Sequence, residues 1–175
     1  MIDFNVNYAD EFVKEFEADP SDYPNSIKHV IKRYKKWKKR KDIFWDNDKA
    51  NDMLYFTETF LKHAKGKWAG QPLILESWQK FFFANIYGWQ KYNSDGKAVR
   101  VIRNVYLQVP KKNGKTIMGG SPVIYGMYGE GVKGADMYIS ANTFEQCQNA
   151  AIPIALTIEN SPDLRPGTRI YKGKE

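Results

Sequence analysis

The stretch VRVIRNVYLQVPKKNGKTIMGGSPVIYG, residues 99–126, decides how this chain is read. Its first part, VRVIRNVYLQV, is rich in β-branched and aromatic residues, the composition of a buried strand. PKKNGKT follows as a polar loop, and the apolar, small-residue run after it predicts a helix beginning near Lys115. Pro122 falls inside that helix, so either the helix kinks there or its boundary lies elsewhere. A loop that leaves a strand and enters a helix at Gly-Lys-Thr sits where phosphates are bound. Helix N-termini offer unpaired N–H groups and partial positive charge. Gly114 lets the backbone approach an oxyanion, Lys115 reaches the β- and γ-phosphates, and the Thr116 hydroxyl joins the shell of a Mg²⁺ ion. The full phosphate-loop pattern places glycine at position 109, where this chain has Val109. A solvated basic turn is the other reading of the same residues; the order of elements around the loop favours phosphate binding.

Downstream, DMYISA (136–141) reads as a second strand and TFEQCQNAAIPIALTIEN (143–160) as a second helix. Thr143 or Asn142 would cap that helix, Pro153 would kink it, and Asn160, Ser161 and Pro162 would end it. TRIYKG (168–173) reads as the start of a third strand. Strand, loop, helix, strand, helix is the grammar of an α/β fold with a mostly parallel sheet and crossover helices. Upstream the chain is helical. Residues 8–18 carry Phe12 and Phe16, and 25–40 carry Ile27, Val30, Ile31, Tyr34 and Trp37. Residues 48–63 carry Met53, Phe56 and Phe60, all at helical spacing. Gly66, Gly70 and Pro72 mark a loop, 76–88 a mostly buried helix, and Asn93 to Gly96 a turn.

Hydrophobic residues make up 42% of the chain and aromatics 15%, enough for a real core. No secretory signal or membrane-spanning run is seen. Cys147 is the single cysteine, so no internal disulfide forms, which suits a reducing, cytosolic setting; we read it as structural. His29 and His63 read as helix surface. The net charge of +7 is local: Lys28 to Lys41 holds nine Lys/Arg and no acid, and subtracting those nine leaves the rest at −2. Lys32, Lys35, Lys36, Lys39 and Arg40 are therefore candidates for DNA phosphates, against the alternative of a solvated charged face.

Three blocks in order, WAGQPLILESWQKFFFANIYGW (68–89), YLQVPKKNGKT (106–116) and MYISANTFEQCQNA (137–150), resemble the large terminase subunit of tailed phages. The resemblance implies a P-loop NTPase fold: an N-terminal helical region over 1–65, then the first part of the ATPase domain over 66–175. It implies ATP and Mg²⁺ as cofactors and packaging of double-stranded DNA into a procapsid as the task. The implied partners are the terminase small subunit, the portal protein and further copies in a ring, in the host cytoplasm with no membrane. Gln79 of LESWQ would address the adenine edge, with an exposed helix residue as the other reading, while Trp78 and Phe81–Phe83 read as core. Pro110, Lys111, Lys112, Asn113, Gly114, Lys115 and Thr116 would form the variant phosphate loop, which tolerates loss of the first glycine. Lys111 stands where the family often has arginine, so Lys111 and Lys115 are the catalytic candidates and Thr116 the metal-side one. Ala141, Asn142 and Thr143 would lie at the C-terminal end of the second strand. The acidic pair that completes Mg²⁺ binding and the nuclease carboxylates are expected beyond this chain, as in a truncated protein. A helicase-like P-loop ATPase and a non-catalytic basic DNA-binding module are the alternatives.

Overall fold

The computed structural model describes residues 1–171. The elements run α1 (Tyr8–Ala18), α2 (Asn25–Trp37), β1 (Phe44–Trp45), α3 (Asn47–Phe60), α4 (Ser77–Gly88), β2 (Trp89–Tyr92), β3 (Ala98–Arg100), α5 (Lys115–Tyr128) and α6 (Phe144–Glu159). The chain divides into two compact units. One is Ile2–Leu54 with Leu75–Tyr106; the other takes Met1, Tyr55–Ile74 and the chain from Leu107. α3 contributes residues to both.

The first unit is built on aromatic side chains. α1 opens on Asn7, whose side chain accepts from the backbone N–H groups of Ala9 and Asp10. Its apolar face, with Phe12, Val13 and Phe16 buried, packs with α2 and α4 through Ile31, Tyr34, Phe81 and Ala84. Trp89 is 1% exposed, with Tyr34, Trp37 and Trp45 rings at 5.6, 5.5 and 5.2 Å from its own. Its indole N–H donates to Asn85 Oδ1 at 3.2 Å, which satisfies the one polar atom of a buried tryptophan. Tyr34 is anchored at both ends of its ring environment: its hydroxyl donates to Asp10 Oδ1 at 3.0 Å and accepts from Asn7 Nδ2 at 3.3 Å. Trp78 is partly buried against the same core, as its sequence context predicts.

The sheet of this unit has the order β1-β2-β3 and is antiparallel throughout, with Trp45 opposite Trp89 and Gln90 opposite Arg100. The predicted Asn93–Gly96 turn closes the β2–β3 hairpin. Asn93 Oδ1 accepts from the backbone of Asp95 and Lys97, and Gly96 sits at φ 72°. Gly88 has no room for a side chain, since a Cβ there would lie 2.8 Å from the Trp45 ring.

The parallel sheet expected from the sequence is not seen among the described residues. Of VRVIRNVYLQV, only Val99 and Arg100 are strand, and they belong to the antiparallel hairpin. Residues 101–110 and 136–141 form no strand, and Tyr106 and Tyr138 are 86% and 85% exposed. Val, Ile and Tyr suit a strand only when neighbouring backbone and side chains stand beside it to form a ladder. The TRIYKG segment shows no strand over 168–171, and its last two residues lie outside the described part. His63 is not on a helix either. α3 ends at Phe60, and the His63 backbone exchanges hydrogen bonds with Gln71 and Gly70 instead.

The second unit rests on α5 and α6. Gly120 lets α6 come close, a Cβ there being 3.0 Å from Ile154 Cγ1. Tyr125 meets Phe56 at 5.3 Å between ring centres. Pro122 lies within α5, not at its edge, and removes the N–H that would bond the Met118 carbonyl. Pro153 lies inside α6 in the same way. Asn160 ends α6 as predicted, and its amide donates to the His63 carbonyl at 3.1 Å. Cys147 is half-buried, its Sγ 3.8 Å from the Ile139 carbonyl. Among the described residues no helix is long and apolar enough to cross a membrane.

Candidate functional site

The sequence of residues 110–116 predicts both the loop and the helix that follows, and α5 does begin at Lys115. Its N-cap is Gly114, at φ 72° and ψ 18°, a left-handed conformation that glycine adopts at no steric cost. Lys112 is also left-handed, at φ 71°, and it is the one non-glycine residue with positive φ among those described. Such a backbone costs an ordinary residue about 1 kcal/mol or more, and residues held this way cluster at ligand sites. The sequence carries no signal for it, because lysine is not a residue that announces a left-handed turn. Asn113 lies between the two, its amide reaching the carbonyls of Pro110 and Lys111 at 3.4 Å each.

The start of α5 differs from that of other helices here in what it lacks. Asn7 caps α1, Thr143 caps α6 by accepting from Gln146 N–H at 3.2 Å, and Glu76 with Gln79 forms a reciprocal box on α4. α5 has no side-chain cap, because Gly114 has no side chain to give; α2, entered from Pro24, is likewise uncapped. The open N–H groups of the first turn of α5, with Lys111, Lys112, Lys115 and Thr116 all exposed around them, can receive an anion. Beside Thr116 lies a cleft of ≈ 30 Å³ that is also lined by Leu61, Gly120, Ser121, Pro153 and Thr157. It holds about one water.

Gln79 lies in the other unit, in the first turn of α4. It is 8% exposed, so the reading of it as an exposed helix residue is corrected. Its Oε1 accepts from the Glu76 backbone N–H at 3.0 Å, closing the capping box. A carbonyl oxygen has two lone pairs, so one acceptor position and the –NH₂ remain for other partners. The spacing Glu76-x-x-Gln79 is a capping-box signature that the sequence reading passed over.

The basic candidates on and after α2 are exposed but not equivalent. Lys35 pairs with Glu17 and Arg40 with Asp42, whereas Lys32, Lys36 and Lys39 have no ion pair among the described residues. No group of three His, Cys, Asp or Glu side chains able to hold a metal occurs among the described residues.

Residues 77–156 match the family described as terminase large subunit, ATPase domain. That segment runs from the start of α4 into α6 and contains both Gln79 and the 110–116 loop. No curated protein and no solved structure matches the chain.

Proposed function

We propose that this chain is the ATPase portion of a DNA-packaging terminase and binds ATP with Mg²⁺ on the 110–116 loop. The observation that carries the reading is the exposed Gly114-Lys115-Thr116 step at the uncapped start of α5, inside the segment that matches the family. In this reading the first-turn N–H groups and the Lys115 ammonium hold the phosphates. Gly114 keeps the approach clear, and the left-handed Lys112 turns the loop around Asn113 and Pro110. The Thr116 hydroxyl would help hold a Mg²⁺ ion, which would neutralise phosphate charge. Lys111 offsets charge that develops during hydrolysis, as a point charge lacking the guanidinium fork.

In this reading 101–110 and 136–141 are strands of a parallel P-loop sheet. Double-stranded DNA, a small subunit, a portal and a ring of copies in the host cytoplasm are the partners and setting that go with the packaging reading.

The test is MgATP binding by calorimetry, with hydrolysis measured in the intact motor. Losing a charge-assisted lysine–phosphate contact costs about 1.5–3 kcal/mol, so Lys115→Ala is expected to weaken binding roughly 10- to 100-fold and to abolish hydrolysis. Unchanged affinity and full activity in Lys115→Ala would overturn the assignment.

A further inference from the structure

The positive charges of α2 and the turn after it fall into separate groups. Toward α1, Lys35 is paired with Glu17, and Lys38 contacts Asp10 Oδ1 at 2.7 Å. Toward the core, Arg33 and Arg40 stack on Trp37 at 5.3 and 5.8 Å from its ring centre, and Arg40 is also paired with Asp42. What remains is Lys28, Lys32 and Lys36, spaced i, i+4, i+8, with Lys39 in the turn that follows and Lys41 two residues beyond it. All five are exposed and without an ion pair among the described residues. The i, i+4 rise is about 6 Å, so the three amines stand in one line along the helix. Like charges in such a row repel and weaken a helix that already lacks a side-chain cap and an acid in its first turn.

We propose that this lysine line is a duplex-DNA backbone track, to which Lys28, Lys32, Lys36 and Lys39 contribute and the acid-paired Lys35, Lys38 and Arg40 do not. The inference rests on the packaging reading only in choosing DNA among polyanions. The chemistry favours phosphates over a protein partner. No large apolar side chain is exposed between Asn25 and Lys41, and the one tryptophan nearby is partly buried and covered by two guanidinium groups. A protein interface needs a buried aromatic or aliphatic anchor, and this face has none. The line has no forked or amide side chain, and its ammonium groups act as point charges toward phosphates, so binding is expected to depend little on sequence.

The experiment is fluorescence anisotropy of the protein with a short random duplex, with log Kobs followed against log salt between about 50 and 200 mM. Each phosphate-neutralising lysine contributes about 0.9 to the slope, so Lys28→Gln/Lys32→Gln/Lys36→Gln/Lys39→Gln is expected to lower it by roughly 3 to 4. Lys35→Gln/Lys38→Gln is expected to leave the slope in place, and circular dichroism checks that both variants keep α2. Lys115→Ala is carried in parallel and should show the wild-type slope, so the track and the nucleotide site fail independently. The proposal is overturned if the fourfold variant keeps its slope, if the paired lysines count equally, or if polyglutamate is bound in preference to the duplex.

Discussion

The two compact units treat their aromatic residues in opposite ways. In the unit of Ile2–Leu54 and Leu75–Tyr106, Trp89, Tyr34 and Phe83 are 1%, 1% and 0% exposed, and each ring meets others. In the unit that continues from Leu107, Tyr138 and Phe144 are 85% and 78% exposed, and the segment that ought to pair as a strand runs alone. The first unit closes its core with helix–helix contacts and a local hairpin, which need only neighbours in its own sequence. In the second, residues 136–141 form no strand, and Tyr138 stands in solvent.

The largest test of this contrast is truncation of an aromatic in each unit. Trp89→Ala is expected to cost about 3–5 kcal/mol in urea unfolding, with loss of hydrogen-exchange protection through α1, α2 and α4. Tyr138→Ala should stay within about 0.5 kcal/mol. Comparable losses from the two would erase the contrast.

A smaller effect separates the first unit by pH. Burial, then the nearby Asp10 charge and the hydrogen bond to it, hold the Tyr34 phenol well above its ordinary value. As pH rises past about 10 the unfolded chain sheds this proton while the folded one keeps it, so stability falls by up to about 1.4 kcal/mol per pH unit until the folded group also titrates. Below pH 10 the contribution is fully present. Tyr34→Phe should flatten the decline in urea midpoints measured between neutral pH and about pH 11; an unchanged decline would place its origin elsewhere.

The smallest test is local to α6. Thr143→Ala removes the side chain that accepts the Gln146 N–H, and about 1 kcal/mol should go with it, read from the thermal midpoint and from exchange of the first-turn amides. A loss confined to α6, sparing α1 and α4, sharpens the picture of two units with separate local supports.

Much of the candidate site was legible in advance. The start of α5 at Lys115 and the loop before it followed from a glycine and a lysine ahead of an apolar run, and the cap of α6 from a threonine before its first turn. The left-handed Lys112 was not legible, since nothing in a lysine's chemistry requests that conformation. Gln79 was read as a ligand-facing amide or a surface residue, and its engagement with the Glu76 backbone came from a box whose two members stand three apart in plain view. Packing joins 75–106 to 2–54, residues far apart in the chain.

By itself the sequence determined the helices, the hairpin turn and the position of the Gly-Lys-Thr step. Each depends on residues within a few positions of one another, where spacing, caps and backbone preference act directly. Tertiary structure alone decided which strands pair, because pairing depends on what lies alongside. It also decided which lysines of the basic run remain unpaired, because Glu17 and Asp10 reach Lys35 and Lys38 from α1, a neighbour set by packing.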